Sequence, residues 1–176
     1  MDRKATIHKR KHLSLIQRQQ KEKAIVQKLL PFLEGNIGAY MPILGEVDIM
    51  EVSLAKGKVF LPKVLDNQNM EFILFDGNLK EGAFGVMEPS GPAVDPESLD
   101  VIVVPMVNFC GFHRRGYGKG YYDRYLKKTK ALKIGVAFDL QEDEFSTGQY
   151  DVDMDILITE TKLWRNPNAN TILWRQ

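Results

Sequence analysis

Three alternate glycines mark the segment of this chain that is best suited to chemistry. Residues 114–124 have the sequence Arg-Arg-Gly-Tyr-Gly-Lys-Gly-Tyr-Tyr-Asp-Arg and follow the apolar run at residues 101–105. Glycine allows the backbone to turn with its N–H groups converging, and such a turn can cradle phosphate oxygens. Lys119 can neutralise phosphate charge, and Asp123 can hold a metal ion bound to those phosphates. Tight turns also use glycine without any ligand, so the added lysine and carboxylate are what favour a phosphate site.

Signatures of other common sites are missing from the sequence. The glycine run matches neither the Gly-x-x-x-x-Gly-Lys-Ser/Thr nor the Gly-x-Gly-x-x-Gly pattern of nucleotide-binding proteins. His8, His12 and His113 have no spacing that is typical of a zinc site. Neither a Gly-x-Ser-x-Gly elbow nor a Cys/His pair supports a hydrolase. The one cysteine, Cys110, excludes an internal disulfide and suits a reducing compartment.

The composition predicts one globular domain over residues 1–176. Hydrophobic residues make up 44% of the chain and charged residues 27%, which is ordinary for a soluble protein. The net charge of +1 gives no overall attraction to nucleic acid or membrane, and no apolar run approaches the roughly 20 residues that span a bilayer. The basic N-terminus lacks the apolar core of a secretory signal. We therefore expect a cytoplasmic monomer without a nucleic-acid or membrane partner.

The charges are unevenly distributed along the chain. Residues 1–23 contain eight Lys or Arg and two acids, whereas residues 139–160 contain eight acids and neither Lys nor Arg. Most of these charges are typical of a solvated basic helix and an acidic surface loop. The alternative is that one or two members of each set face a shared site for an anion and a metal ion.

The order of the elements predicts an α/β fold. Residues 1–34 contain no glycine and have apolar residues at helical spacing, with Ser14 as a cap between two helices. Residues 82–98 predict an irregular loop, because they are rich in glycine and proline. Helices are predicted at residues 47–55 and 121–130, and strands at residues 37–41, 59–61, 71–75, 100–105, 133–138 and 155–159. The alternation indicates a three-layer α/β/α sandwich with a mostly parallel central sheet and an N-terminal helical segment, in which ligands bind at the carboxyl ends of the strands.

Five motifs make the chain similar to one enzyme family. Residues 114–123 resemble the signature Arg-Leu-Gly-x-Gly-x-Gly-Tyr/Phe-Tyr-Asp of the 5-formyltetrahydrofolate cyclo-ligases, also called methenyltetrahydrofolate synthetases, with Arg115 at the Leu position. Four further segments resemble motifs of that family in the same order, at residues 40–48, 60–63, 84–89 and 150–155. The matches extend over nearly the whole chain, so the chain is identified as a member of this family.

The resemblance implies an enzyme that uses ATP and Mg²⁺. Members of this family convert 5-formyltetrahydrofolate to 5,10-methenyltetrahydrofolate with release of ADP and phosphate. The formyl oxygen is a poor leaving group, so it first receives the γ-phosphoryl group of ATP. Nitrogen-10 of the folate then attacks the activated carbon, the ring closes and phosphate departs. The protein would contribute mainly positioning and charge neutralisation.

The resemblance also implies roles for individual residues. Catalysis would involve Lys119, Arg114 and Arg115. The ATP site would comprise Arg3, Lys4, Arg114, Arg115, Gly116, Tyr117, Gly118, Lys119, Gly120, Tyr121 and Tyr122. The folate site would comprise Met41, Glu46, Phe84, Tyr117, Gly118, Lys119, Gly120 and Tyr121. Magnesium would be held by Asp123 and Asp155.

Three of these residues have plainer explanations from the sequence alone. Asp155 is also typical of a turn that starts a strand. Glu46 is also typical of an acid near a helix N-terminus, where the helix dipole favours it. Phe84 is also an ordinary candidate for a core aromatic.

The chain departs from the family pattern at three places. The Lys that the family has four residues before Arg3 is without a counterpart, so Arg3 and Lys4 would take its role. The segment at residues 108–113 is about one residue shorter than usual, which leaves open whether Arg114 or Arg115 occupies the family's Arg position. Tyr150 stands in place of the family's His before Asp151.

Two other functions compete with the cyclo-ligase reaction. An enzyme of the same fold can use the same Mg-ATP site on a different substrate, because a fold does not determine a substrate. A nucleic-acid-binding module can use the basic segment at residues 3–23. The balanced total charge and the lack of a recognised binding motif disfavour the module.

Overall fold

Helices and strands alternate along residues 2–169, which the computed structural model describes; residue 1 and residues 170–176 of the predicted domain lie outside the described part. The helices are α1 (Arg3–Lys11), α2 (Leu15–Leu29), α3 (Met50–Lys56) and α4 (Tyr121–Leu126). The strands are β1 (Asn36–Gly38), β2 (Lys58–Val64), β3 (Met70–Leu74), β4 (Lys80–Glu81), β5 (Met87–Glu88), β6 (Val101–Val104), β7 (Asn108–Cys110), β8 (His113–Arg115), β9 (Leu132–Val136), β10 (Ile156–Ile158) and β11 (Leu163–Arg165).

A central sheet runs in the order β11-β10-β9-β6-β1-β2-β3. The neighbours from β10 to β2 are parallel, and each edge strand, β11 and β3, joins antiparallel. Strand β6 is buried along its whole length, as expected for a strand whose two faces are both covered. The predicted α/β fold with a mostly parallel sheet is confirmed.

Two apolar cores cover the two faces of the sheet. On one face, sheet residues such as Val101 and Val103 pack against Ile25 and Leu29 of α2. On the other face, the alternate residues of β6 pack with Tyr125 and Leu126 of α4 and with residues of β3 and β7. Because side chains alternate along a strand, a continuous apolar run supplies both cores at once.

The N-terminal helices form as predicted. The Ser14 hydroxyl accepts a hydrogen bond from Gln17 N at 3.1 Å, and the Gln17 side chain accepts one from Ser14 N, so the two residues form a capping box that begins α2. Helix α1 carries the buried side chains Thr6 and Arg10. The Thr6 hydroxyl accepts a hydrogen bond from Asn108 Nδ2 at 2.7 Å, which holds α1 beside β7.

Strand β2 continues through Pro62, where the sequence predicts an end. Strand β1 reaches β2 only as far as Phe60, so Pro62 has a neighbouring strand on one side, in β3. A proline without an N–H is tolerated at such a position, because no second strand needs its hydrogen bond.

Several short elements were not predicted from the sequence. Residues 108–113, expected to be a loop, lie in the β7–β8 hairpin, whose turn uses Gly111 at φ 57°. The segment at residues 82–98 contains β5, which pairs with β4. Helix α4 ends at Leu126, four residues before its predicted end.

No helix within residues 2–169 has both the length and the apolar character needed to cross a membrane.

Gly57 provides a test of how tightly α3 joins the sheet. A Cβ at this position would lie 2.3 Å from the carbonyl oxygen of Gly35, which cannot retreat easily because it accepts the Lys58 N–H at 2.9 Å. We expect Gly57→Ala to lower the free energy of unfolding by about 1–3 kcal/mol, measured by urea denaturation. Lys56→Ala, at the exposed neighbouring residue, should change it by less than about 0.5 kcal/mol. Equal stability of the two variants would contradict this packing.

Candidate active site

A cavity of about 580 Å³ opens at the carboxyl ends of the parallel strands. Its walls include Tyr40 after β1, Val64 at the end of β2 and Pro105 after β6. Ligands of open α/β sheets bind beyond these strand ends, because the connecting loops diverge there. The cavity is therefore the position at which the predicted site residues should meet.

The glycine loop, residues 116–120, forms one wall of this cavity. Gly118 and Gly120 have φ angles of 94° and 71°, in the left-handed region that favours glycine. Arg124 anchors the loop by donating to the Lys119 carbonyl at 2.7 Å and to the Gln68 carbonyl at 2.6 Å. The loop thus has a defined conformation that depends on its glycines.

Helix α1 anchors the same loop from the other side. Arg3 Nε donates to the carbonyl oxygen of Gly116 at 2.8 Å across 113 residues of sequence, and Arg3 lines the cavity. Lys4 is exposed and does not line the cavity. The structure therefore brings Arg3 to the glycine loop and leaves Lys4 outside the cavity.

Glu46 is a buried residue of the cavity that contacts the glycine loop. Its carboxylate accepts hydrogen bonds from the Tyr117 hydroxyl at 2.9 Å and from Ile43 N at 3.0 Å. Arg10 Nη2 donates to the same Tyr117 hydroxyl at 2.6 Å and lies 4.0 Å from Glu46 Oε1. Burial raises the pKa of the Glu46 carboxyl above its ordinary value, and the backbone hydrogen bond from Ile43 and the charge of Arg10 oppose that rise. The Glu46 side chain faces the cavity and does not begin a helix.

Arg114 and Arg115 both line the cavity but differ in their partners. The guanidinium of Arg114 is buried, lies 5.1 Å from the ring centre of Tyr122 and donates to the Pro105 carbonyl at 3.3 Å. Its Nε has no hydrogen-bond partner among the described residues, and burial lowers the pKa of the group. Arg115 instead donates to Asn108 at 2.8 Å and to Asp143 at 3.2 Å. Arg115 is therefore paired with side chains of the protein, whereas Arg114 contacts a backbone carbonyl and an aromatic ring.

Phe84 lies at the mouth of the cavity and not in the core. Its side chain is 69% exposed, and its backbone has a left-handed φ of 59°. The ammonium of Lys119 lies 5.5 Å from the centre of the Phe84 ring, so the glycine loop meets the β4–β5 segment across the opening. Met41 lines the same cavity.

The carboxylates at the cavity are Asp123 and Asp151, together with Glu46 and Glu88. One oxygen of Asp123 accepts from Val152 N at 3.2 Å, and one oxygen of Asp151 accepts from Gly148 N at 2.7 Å. Asp155 does not reach the cavity: it precedes β10, accepts from Lys133 N at 2.7 Å and lies 3.5 Å from the Lys133 ammonium. The structure therefore supports the plainer explanation of Asp155 as a residue that holds the start of a strand.

Comparison with known proteins identifies the family. A model of the 5-formyltetrahydrofolate cyclo-ligase family matches residues 2–160. The chain belongs to this family.

Two of the relatives illustrate how far the likeness extends. A Mycoplasma genitalium protein named 5-formyltetrahydrofolate cyclo-ligase is 34% identical over 89% of this chain and 94% of its own length. A Schizosaccharomyces pombe protein named as a probable 5-formyltetrahydrofolate cyclo-ligase is 30% identical over 67% of this chain and 69% of its own length.

Solved structures agree with the sequence comparison. A 5,10-methenyltetrahydrofolate synthetase from Aquifex aeolicus is 35% identical with a TM-score of 0.79, over 96% of this chain and 92% of that one. A 5,10-methenyltetrahydrofolate synthetase from Mycoplasma pneumoniae is 30% identical with a TM-score of 0.75, over 90% of this chain and 96% of that one. The prediction of an enzyme of the cyclo-ligase family is confirmed.

The carboxylates of the cavity fit magnesium that shares its ligands with phosphate. Among residues 2–169, no group of three or more His, Cys, Asp or Glu side chains is gathered so that it could hold a metal ion by itself. Asp123 and Asp151 offer two carboxylates in the cavity that the glycine loop also lines. Mg²⁺ prefers hard oxygen ligands and is commonly held by one or two carboxylates together with substrate phosphates.

Sequence reasoning missed two residues of the site, Asp151 and Arg10. Asp151 belongs to the same motif as Asp155, but the motif does not indicate which of the two carboxylates precedes the strand and which faces the loop. Arg10 lies in a basic run in which most side chains are exposed. The only signal for it is helical spacing, because Arg10 is seven residues after Arg3 and thus on the same face of α1.

The buried Glu46 predicts a pH dependence of stability. A carboxyl whose pKa is higher in the folded than in the unfolded chain binds protons more tightly when folded, so the free energy of unfolding falls as pH rises. The fall begins near the ordinary value of 4.5 and ends above the raised pKa. Glu46→Gln has no carboxyl to titrate, so its free energy of unfolding relative to the wild type should improve as the pH rises above about 4.5, measured by urea denaturation. Glu51→Gln, at an exposed position of α3, serves as control, and a parallel pH profile for wild type and Glu46→Gln would contradict the burial of a charged Glu46.

Proposed function

We propose that this protein converts 5-formyltetrahydrofolate to 5,10-methenyltetrahydrofolate in a reaction that consumes ATP, requires Mg²⁺ and releases ADP and phosphate. The observation that carries the proposal is that one cavity is lined both by a glycine loop with basic side chains and by the buried carboxylate of Glu46. The loop suits the phosphates of ATP, and the carboxylate suits the amino-pyrimidine edge of a pterin. The names of the relatives agree with the folate ligand. The single cysteine suits the reducing cytoplasm, in which we expect the reaction to run.

The glycine loop supplies the phosphate side of the site. Its backbone N–H groups can donate to phosphate oxygens, since no side chain shields the glycines. Lys119 and Arg114 add positive charge, and Arg3 completes the set from α1. A guanidinium that is buried with an unpartnered Nε, as in Arg114, is suited to a charged oxygen that arrives with the substrate.

Glu46 and the apolar residues of the cavity supply the folate side. The Glu46 carboxylate can accept hydrogen bonds from the amino and ring N–H groups of a reduced pterin. Tyr117 holds that carboxylate through its hydroxyl, while Met41 and the exposed ring of Phe84 provide apolar surface for the remainder of the folate. The two ligands would then meet at Tyr117 and Lys119 of the glycine loop.

The chemistry requires positioning more than covalent participation by the protein. The formyl oxygen attacks the γ-phosphorus, and the bond between the γ-phosphorus and ADP breaks. The formyl oxygen thereby becomes part of a phosphate leaving group. Nitrogen-10 then forms a bond to the activated carbon and loses its proton, and the bond from that carbon to the phosphate oxygen breaks as phosphate leaves. Lys119 and Arg114 would stabilise the charge that moves between the phosphoryl oxygens, because their positive charges line the same cavity as the loop that would bind the phosphates. Magnesium, held by Asp123 and Asp151, would neutralise phosphate charge.

An absorbance assay tests the proposal directly. Purified protein is mixed with 5-formyltetrahydrofolate, ATP and Mg²⁺, and formation of the methenyl product is followed with time. The proposal expects product only when all three are present, with one ADP formed for each methenyl group. Product formed at full rate in EDTA or without ATP would refute the reaction as written.

Substitution of the two candidate metal carboxylates separates Asp151 from Asp155. We expect Asp151→Asn to raise the Mg²⁺ concentration needed for half-maximal activity by roughly tenfold or more, with little change in the free energy of unfolding. Asp155→Asn should instead lower stability, because Asp155 is buried against Lys133, and leave the Mg²⁺ requirement unchanged. Mg²⁺ titration of activity together with urea denaturation measures both quantities. The opposite pattern would return the metal role to Asp155.

Lys119→Ala should reduce turnover far more than stability. Lys119 is exposed and lies among glycines, so its removal uncovers little apolar surface and should change the free energy of unfolding by less than about 0.5 kcal/mol. A lysine on the transferring phosphoryl group stabilises charge in the transition state, and we expect kcat to fall by about 100-fold or more. Lys127→Ala, on the surface after α4, is the matched control and should retain wild-type kcat. Near-normal kcat in Lys119→Ala would contradict its assignment.

A further inference from the structure

Arg10 is a fully buried arginine that none of the family-like motifs contains. It lies in the last turn of α1 with no exposed surface. Burying a guanidinium is costly unless its donors are satisfied, so a side chain in this position needs specific partners.

The partners of Arg10 come from three separate segments that meet at the cavity. Arg10 Nε donates to the carbonyl of Leu44 at 2.8 Å, and Nη1 donates to the carbonyl of Met106 at 2.8 Å. Nη2 donates to the Tyr117 hydroxyl at 2.6 Å. One planar guanidinium thus joins the loop before Glu46, the segment after β6 and the glycine loop, and the fork of donors makes this possible.

The same guanidinium governs the position of the Glu46 carboxylate. The Tyr117 hydroxyl accepts a hydrogen bond from Arg10 and donates one to Glu46 Oε1 at 2.9 Å. Leu44, two residues before Glu46, has a left-handed φ of 48°, which is uncommon for a leucine, and its carbonyl accepts from Arg10. Arg10 therefore holds both the side chain that touches Glu46 and the backbone that leads to it.

Arg3 and Arg10 contact two adjacent residues of the glycine loop. They are seven residues apart, about two helical turns, and lie on one face of α1. Arg3 contacts the backbone of Gly116, on the phosphate side, whereas Arg10 contacts the hydroxyl of the next residue, Tyr117, on the Glu46 side.

We propose that Arg10 is a positioning residue for the reduced folate: through Tyr117 and the 44–46 backbone it holds Glu46 in the orientation that recognises the pterin. This inference rests on the proposed function. Arg10 does not itself touch the reacting atoms, and its removal affects folate binding rather than ATP binding.

Binding measurements on the two ligands separately test the inference. Isothermal titration of 5-formyltetrahydrofolate without nucleotide, and of ATP with Mg²⁺ but without folate, is carried out on the wild type and on Arg10→Met, Arg10→Lys and Arg3→Ala. Loss of a buried charge-assisted hydrogen-bond network should raise the folate Kd of Arg10→Met by roughly 10- to 100-fold, with an ATP Kd within about threefold of wild type. Arg10→Lys retains the charge without the forked donors of arginine, so its folate Kd should lie between the folate Kd of the wild type and that of Arg10→Met. Arg3→Ala should show the reverse selectivity.

The outcomes separate positioning from simple stabilisation. Thr6→Val, which removes another buried hydrogen bond of α1, serves as the control for a loosened helix, because Thr6 does not line the cavity. A wild-type folate Kd in either Arg10 variant, or equal weakening of both ligands as in Thr6→Val, would overturn the inference. If Arg10→Met does not fold, Arg10→Lys decides by the same criterion. Wild-type protein that fails to bind 5-formyltetrahydrofolate would refute the proposed function and the inference together.

Discussion

Hydrogen bonds from remote parts of the chain hold the glycine loop at residues 116–120. Arg3 reaches its backbone from α1, 113 residues away in sequence, and Arg124 ties it to the segment after β2, whereas Arg10 contacts only the side chain of Tyr117. A glycine-rich backbone has many accessible conformations, and ordering it on ligand binding would cost free energy. Because the loop is already held, that cost is met during folding, and more of the binding energy remains for recognition.

The cavity is assembled at some cost to stability. Burial raises the pKa of Glu46 and lowers that of Arg114, so each charged side chain is less favourable there than in water. Phe84 and Leu44 occupy left-handed backbone conformations that are uncommon for their residue types. The apolar cores on both faces of the sheet provide the stability that allows these features to persist, and strained or buried polar groups commonly gather at functional sites.

Local signals in the sequence predict the scaffold and much of the site. The buried run of β6, the Ser14 cap and the glycines of the loop each depend on short-range chemistry, so their types and spacing were sufficient. The end of β2 was predicted wrongly at Pro62, because tolerance of a proline depends on which neighbouring strands extend past it. Arg10 and Asp151 escaped prediction for a related reason. Whether a charged side chain faces the cavity or the solvent is decided by packing between distant segments, which one sequence does not display.

The central claim is that both ligands meet at the glycine loop within one cavity. A crystal structure with 5-formyltetrahydrofolate, Mg²⁺ and a non-hydrolysable ATP analogue tests it most directly. The account predicts the γ-phosphate of the analogue against the backbone N–H groups of residues 116–120, the pterin on Glu46, and the formyl oxygen facing the γ-phosphorus beside Lys119. A nucleotide or folate bound outside this cavity, or a pterin that does not contact Glu46, would contradict it.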